Sequence, residues 1–189
     1  MIKLKSPSGL ARLSIFAVCL WLAPFLCLAN PVADALEKMQ IDAPKARLPA
    51  PSFQINDLTG KPVRLGDYDG RVILLNFWAT WCIPCREEMP ALQQLWEKFR
   101  DHGFTIIAIS ADSDTAAVEK FVAKTSLTYP VLMDMDNSVQ SAYEVMAIPM
   151  TYLISHDGKL SGRIMGIRDW ASPEAFELID ALLLQKAEE

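Results

Sequence analysis

The sequence is poor in the residues from which metal centres are built. It contains two histidines and four cysteines, and Cys19 and Cys27 lie in an apolar stretch close to the N-terminus. A structural zinc site normally needs four ligands, supplied by two cysteine pairs or by one pair together with histidines. His102 and His156 fall in unrelated turn regions. We therefore expect no metal site, and no motif in the chain indicates a cofactor.

Positive charge is also scarce. The chain has 18 lysines and arginines against 23 aspartates and glutamates, a formal net charge of −5. Nucleic-acid-binding domains usually carry a basic excess, so we expect no nucleic-acid partner. Internal repeats and low-complexity tracts are absent from the sequence, which argues against a repeat array. A hydrophobic fraction of 51% over 189 residues indicates one globular domain with extensions.

The first 29 residues have the layout of an export signal. A basic start with Lys3, Lys5 and Arg12 precedes an uncharged run over residues 13–29, and Cys27-Leu28-Ala29 offers small residues at the −3 and −1 positions of a cleavage site. The alternative is an uncleaved signal anchor, although this run is short for a membrane-spanning helix. We expect the protein in the periplasm or cell envelope, either soluble after cleavage or anchored in the membrane by residues 13–29.

Residues 30–50 are rich in proline, with Pro31, Pro44 and Pro49. We interpret them as a tether between the signal and a domain over residues 51–189. After cleavage, Cys82 and Cys85 would be the remaining cysteines. In an oxidising compartment, a cysteine pair of this kind is relevant to redox chemistry.

The two cysteines stand between a predicted strand and a predicted helix. The run Val72-Ile73-Leu74-Leu75 indicates a buried strand, and helical periodicity begins at Cys85. This order places Cys82 at the exposed N-terminus of a helix, where the helix dipole and free N–H groups favour thiolate over thiol. Such a thiolate can attack a disulfide, and Cys85, one turn inside the helix, can then displace the captured sulfur. Pro84 stiffens the spacer between them.

Strands and helices alternate along the rest of the chain. This alternation predicts an α/β fold with a mixed central sheet. The pattern predicts hairpins over 53–65 and 151–165, strands over 71–78, 104–110 and 129–133, and helices over 85–102, 115–124, 138–143 and 173–184.

The run from Phe77 to Cys85, Phe-Trp-Ala-x-Trp-Cys-x-Pro-Cys, resembles the thioredoxin-like thiol:disulfide oxidoreductases. Pro90, five residues after the second cysteine, fits the same pattern. The N-terminal hairpin, a helix–strand insertion near residues 112–145, and Glu88 are similar to the TlpA/ResA-type exported bacterial branch. The resemblance covers residues 51–185 and implies a thioredoxin-like α/β fold.

The resemblance also implies roles for individual residues. It implies that Glu88 carries the proton of Cys85, and that Ile148-Pro149 forms a loop with a cis peptide bond facing the active site. Backbone beside Pro149 would pair with an extended partner peptide. Trp81, next to the nucleophile, is expected to exclude water and to contact partners together with Pro84, Ile148 and Pro149.

Two positions depart from the family pattern. Thioredoxin has a buried aspartate six residues before the first cysteine, where this chain has Asn76. The proton acceptor must therefore be another group or water. Met150 follows the loop proline where the family usually has threonine, which indicates a different partner surface.

The function expected from these residues is reduction of disulfides in envelope proteins by the Cys82–Cys85 dithiol. The resemblance extends to proteins that reduce apocytochrome thiols before haem attachment, and implies a membrane-embedded thiol reductase as electron donor. An oxidase or isomerase of the same fold is one alternative. A peroxiredoxin-like peroxidase is another, although Ala79 stands where its threonine is expected. A metallochaperone passing Cu(I) through the two thiolates is a third.

Overall fold

The structure, a computed structural model, describes residues 30–185. The export signal predicted over residues 1–29 lies outside the described residues. The strands are β1 (Gln54–Asp57), β2 (Pro62–Arg64), β3 (Val72–Trp78), β4 (Phe104–Ser110), β5 (Val131–Met133), β6 (Met150–Ile154) and β7 (Leu160–Met165). The helices are α1 (Pro31–Lys38), α2 (Ile83–Phe99), α3 (Thr115–Thr125), α4 (Ser138–Ala142) and α5 (Pro173–Gln185), with short 3₁₀ turns at Leu65–Tyr68 and Arg100–His102.

The strands of the described residues form one mixed sheet in the order β2-β1-β5-β4-β3-β6-β7. Strand β3 lies inside the sheet, parallel to β4 and antiparallel to β6. Every residue of β3 and β4 is buried. Their nearly continuous apolar sequences follow from this position, because a strand covered on both faces has no solvent-facing residues.

Alternate residues of β3 enter two separate apolar clusters. Val72, Leu74 and Trp78 pack in the cluster that also contains residues of α1, α2 and α5. Ile73 and Phe77 pack on the other face, with α4 and the segment around the first hairpin. Because successive side chains of a strand point to opposite faces, a single strand supports both layers of the domain.

From the first hairpin onward, the predicted order of elements is confirmed. The hairpin of β1 and β2 and the hairpin of β6 and β7 are both antiparallel pairs. Asp114 caps α3, accepting a hydrogen bond from the N–H of Ala116 at 3.0 Å. Helix α2 begins at Ile83, two residues earlier than expected, because Cys82 is its N-cap and Pro84 fits its first turn.

The segment expected as a tether is packed against the domain. Helix α1 buries Val32, Ala35 and Leu36, which follow helical spacing, and it packs against α5. The chain then runs along the outer edge of β7, where Asp42 pairs with Arg163. Residues 30–50 therefore belong to the folded domain, because this apolar periodicity outweighs the proline content on which the tether expectation was based.

Gly162 on β7 makes this close approach feasible. A Cβ atom at this position would lie 2.9 Å from side-chain carbons of both Leu36 and Ile41. The absence of a side chain therefore leaves the space in which the N-terminal segment packs. Within residues 30–185, no helix is both long enough and apolar enough to cross a membrane.

We predict that Leu36→Ala lowers the free energy of unfolding by about 2–5 kcal/mol, because it removes a side chain that is 3% exposed and leaves a cavity between α1 and the sheet. Urea unfolding of residues 30–185 measures this. The exposed neighbour Glu37 provides the control, since Glu37→Ala should change the stability by less than about 0.5 kcal/mol. Equal stabilities of the two variants would mean that α1 is not part of the cooperative fold.

Candidate active site

The site is built at the first turn of α2. Cys82 is the N-cap residue, in an extended conformation, and its Sγ accepts a hydrogen bond from the N–H of Cys85 at 3.3 Å. The two cysteines form a disulfide. In the reduced protein, the free N–H groups of this turn and the helix dipole would favour a thiolate at Cys82.

Cys82 is less accessible than its place at a helix terminus suggested. It is 6% exposed, whereas Cys85 is fully buried. The loop that includes Ile148 and Pro149 covers it, and the carbonyl oxygen of Ile148 lies 3.8 Å from Cys82 Sγ. The Ile148–Pro149 peptide bond is cis, as the resemblance implied. As expected, Cys82 is more accessible than Cys85, but a partner disulfide can reach Cys82 only through a small exposed area.

A buried aspartate holds the turn that leads into the helix. Asp112 accepts hydrogen bonds from the N–H of Thr80 at 2.8 Å and from its hydroxyl at 2.6 Å. Ser110 donates to the same carboxylate at 2.8 Å. Because β3 and β4 are parallel with Trp78 opposite Ser110, the two strands end together and bring these residues into contact.

Glu88 lies in the interior, one turn further along α2 than Cys85. It is 3% exposed. Its Oε1 accepts a hydrogen bond from Asn76 Nδ2 at 2.8 Å, and its Oε2 accepts one from Trp170 Nε1 at 3.3 Å. Burial raises the pKa of Glu88 from 4.5 to about 7, and these two hydrogen bonds act against the increase. A carboxyl group in this state can take up or release a proton near neutral pH.

Asn76 stands where thioredoxin has its buried aspartate, and it is hydrogen-bonded to Glu88. The position that holds a carboxylate in thioredoxin here holds an amide, whose Nδ2 also donates to Thr151 Oγ1 at 3.1 Å. A carboxyl group is nevertheless present at this place, because Glu88 of α2 lies within hydrogen-bond distance of Asn76. The sequence identified both residues separately, but only the fold shows that they form one hydrogen-bonded pair.

Several apolar side chains next to Cys82 in the chain, and one in the loop before the cis proline, are exposed. Trp81 is 66% exposed and Ile83 is 64% exposed, and Pro84 is also exposed. Met146, in the loop before the cis proline, is 87% exposed. Met150 is buried in β6, opposite Phe77. The side chain at this departure from the family pattern therefore contributes little to the surface.

Three residues of the site were missed by the sequence analysis: Asp112, Thr151 and Trp170. Asp112 carried a usable signal, because it closely follows a buried strand parallel to the one that leads to the cysteines. Thr151 and Trp170 carried none, since a hydrogen bond from Trp170 to Glu88 joins residues 82 positions apart.

Comparison with known proteins agrees with this geometry. The sequence model of the AhpC/TSA family matches residues 46–163. The thiol-disulfide oxidoreductase ResA of Bacillus cereus is 41% identical over 130 residues, which cover 69% of this chain and 72% of that protein. The Bacillus subtilis ResA is 36% identical over 117 residues, covering 62% and 65% of the two chains. A thioredoxin-family thiol:disulfide interchange protein from Chlorobium tepidum superposes with a TM-score of 0.65 at 30% identity, covering 74% of this chain and 99% of that protein.

The chain belongs to the ResA-like thiol-disulfide oxidoreductases of the AhpC/TSA family. The thioredoxin-like α/β fold and the ResA-type resemblance predicted from the sequence are confirmed. Among residues 30–185, no group of three or more histidine, cysteine, aspartate or glutamate side chains is placed to hold a metal ion. The site of this ResA-like chain combines the Cys82–Cys85 pair with the buried carboxyl group of Glu88.

We predict that Glu88 makes the stability of the oxidised protein depend on pH. Its pKa is about 7 in the folded protein and about 4.5 in the unfolded chain, so the folded protein retains a proton that the unfolded chain releases. The resulting stabilisation is fully present below about pH 4.5 and is lost as the pH rises through about 7, a loss on the order of 3 kcal/mol. Urea unfolding between pH 4 and pH 8 measures this loss.

Glu88→Gln should remove this component, because the amide does not titrate. Glu87→Gln is the matched control, since Glu87 is the exposed neighbour in the same turn, and its profile should follow that of the wild type. Parallel profiles for the wild type and Glu88→Gln would contradict a raised pKa at this position.

Proposed function

We propose that the protein is an exported reductase that transfers two electrons from the Cys82–Cys85 dithiol to disulfides of cell-envelope proteins. One observation carries the proposal: a cysteine at a helix N-cap lies directly above a fully buried cysteine, and a buried carboxyl group follows one turn later. This arrangement provides a nucleophile, a resolving group and a proton acceptor in the order in which the reaction needs them.

The reaction begins when the Cys82 thiolate attacks one sulfur of the client disulfide. A bond forms between the two proteins, and the second client sulfur leaves as a thiolate that takes a proton from water. The thiolate of Cys85 then attacks Cys82 Sγ, and the mixed disulfide breaks. The client sulfur leaves as a thiolate and takes a proton from water, so the client departs with two thiols, having gained two electrons, and the Cys82–Cys85 disulfide remains.

Glu88 serves the second step. Cys85 has no solvent exposure, so its proton needs an acceptor inside the protein. Glu88 follows Cys85 by three residues on α2, which places the two side chains on neighbouring positions of one helix face. A carboxyl group with a pKa of about 7 accepts this proton near neutral pH and can release it in the next cycle.

The cycle requires a dithiol that reduces Cys82–Cys85 again. For an exported protein, we propose a membrane-embedded thiol reductase, with residues 1–29 directing export. The exposed apolar side chains of Trp81 and Ile83, which flank Cys82 in the chain, and of Met146, in the loop before the cis proline, provide contact area for client polypeptides. Apocytochromes, whose thiols must be reduced before haem attachment, are one client class that the ResA-type resemblance suggests.

We predict that Cys85→Ser, expressed with its native N-terminus in the source cell, accumulates covalent adducts between Cys82 and clients, because the resolving thiol is missing. Non-reducing electrophoresis followed by mass spectrometry of the cell-envelope fraction measures them. Cys82→Ser is the control and should yield none, since the buried Cys85 cannot reach a client. Adducts in the cytoplasmic fraction alone would refute export, and equal adducts from both variants would refute the order of attack.

The direction of electron flow is tested by the reduction potential of the pair. Because the activity proposed is reduction, we predict a potential near the roughly −270 mV of thioredoxin, measured by equilibration with dithiol buffers. A potential near about −120 mV would assign the protein to the disulfide-forming oxidants instead.

A further inference from the structure

The loop between β7 and α5, residues 166–172, touches the buried carboxyl group of the site. Trp170 in this loop is fully buried. Its indole N–H has a single proton to donate, and it donates to Glu88 Oε2 at 3.3 Å. The other oxygen of that carboxyl group, Oε1, accepts a hydrogen bond from Asn76 Nδ2. The orientation of Glu88 is thus defined from two sides, by β3 and by this loop.

The same loop is fastened to helix α1. The guanidinium group of Arg168 donates from Nε to the carbonyl oxygen of Met39 at 2.9 Å and from Nη2 to that of Gln40 at 3.1 Å. These carbonyls lie directly after the end of α1, where no further helical turn supplies N–H groups to them. The guanidinium group of Arg168 therefore joins the N-terminal segment to the loop. Because the group is planar, the directions of its two hydrogen bonds are fixed relative to each other.

A third contact joins the loop to the cis-proline turn. The N–H of Gly166 donates to the carbonyl oxygen of Pro149 at 2.8 Å, and Gly166 has a φ of +91°, which favours glycine. Loop 166–172 therefore contacts α1, the cis-proline turn over Cys82, and the carboxyl group behind Cys85.

We propose that Trp170 is a positioning residue for Glu88, and that Arg168 sets the place of Trp170 by binding the loop to the end of α1. The proposal rests on the proposed function, because it assigns Glu88 the role of proton acceptor for Cys85. It gives residues 31–40 a part in the reaction: their docking holds the indole N–H at the carboxylate that receives the proton.

The physical effect is electrostatic. An N–H directed at Oε2 stabilises the ionised carboxylate more than the neutral acid, which lowers the pKa of Glu88 and keeps it ionised, and so able to accept a proton, at a lower pH. The other groups that face Glu88 are the amide of Asn76, the hydroxyl of Tyr129, and Arg168, whose backbone N–H and positive charge both favour the ionised carboxylate. Burial raises the pKa of the Tyr129 hydroxyl, so it stays neutral over the range in which Glu88 titrates.

The first test is Trp170→Phe, which removes the N–H and keeps an aromatic ring in the core. We expect the pKa of Glu88 to rise by about one unit, the effect of losing one hydrogen bond to a charged group. Carboxyl ¹³C NMR of the oxidised full domain measures the pKa directly. The pH–rate profile of mixed-disulfide resolution should move by the same amount, with rates about tenfold lower below pH 7.

Trp96→Phe is the matched control. Trp96 lies on the same helix as Glu88, and its indole N–H is buried with no hydrogen-bond partner among residues 30–185. This variant should leave both the pKa of Glu88 and the rate profile unchanged. Equal shifts in the two variants would overturn the proposal, because they would report loosened packing of the core.

Arg168→Lys tests the second link and keeps the positive charge. Lysine cannot reproduce the forked pair of hydrogen bonds, so the pKa should shift upward by a smaller amount than in Trp170→Phe. An unshifted pKa in this variant overturns the role of α1, and an unshifted pKa in Trp170→Phe overturns the positioning of Glu88. If Trp170→Phe does not fold, the indole N–H resonance of Trp170 in the wild-type protein decides the first link. It should titrate with the pKa of Glu88, and an indole resonance that does not change with pH would overturn the positioning of Glu88.

Glu88→Gln separates this proposal from the proposed function. A pH–rate profile unchanged by Glu88→Gln would refute the proton-acceptor role itself. A profile flattened by Glu88→Gln but not moved by Trp170→Phe would refute only the positioning role of Trp170.

Discussion

The buried carboxyl group of Glu88 holds three elements of this protein together. It connects helix α2, which carries the cysteines, to strand β3 through Asn76 and to the β7–α5 loop through Trp170. Placing a carboxyl group in the interior is unfavourable unless its oxygens are hydrogen-bonded. The surrounding elements must therefore meet at this point, and the same burial brings its pKa into the range of neutral pH.

The position of Cys82 must satisfy two requirements. A thiolate is favoured at a helix N-terminus, yet attack on a protein disulfide needs access to the sulfur. The fold meets both needs by placing Cys82 at the N-cap with a small exposed area and sealing Cys85 beneath it. The cis-proline turn limits the approach to Cys82, and the exposed ring of Trp81 adjoins that approach.

The packing of the N-terminal segment depends on residues that are distant from it in the sequence. Its prolines are typical of a tether, but the apolar residues of α1 follow helical spacing and find a complementary surface on α5 and β7. That surface exists because Gly162 has no side chain, and the segment is then held by Arg168. None of these partners lies within 120 residues of α1 in the sequence, so the periodicity of the segment indicates an apolar helix face but not the surface that covers it.

The sequence by itself determined the order of strands and helices, the buried central strands, and the cysteine pair at the start of a helix. These features are local, because they depend on periodicity, capping residues and the spacing of two thiols. Only the tertiary structure decided that Glu88 pairs with Asn76 and Trp170, and that Asp112 holds Thr80. Hydrogen bonds between residues far apart in the chain leave no periodic trace, since each requires only one suitable side chain at each end, and the fold alone brings the ends together.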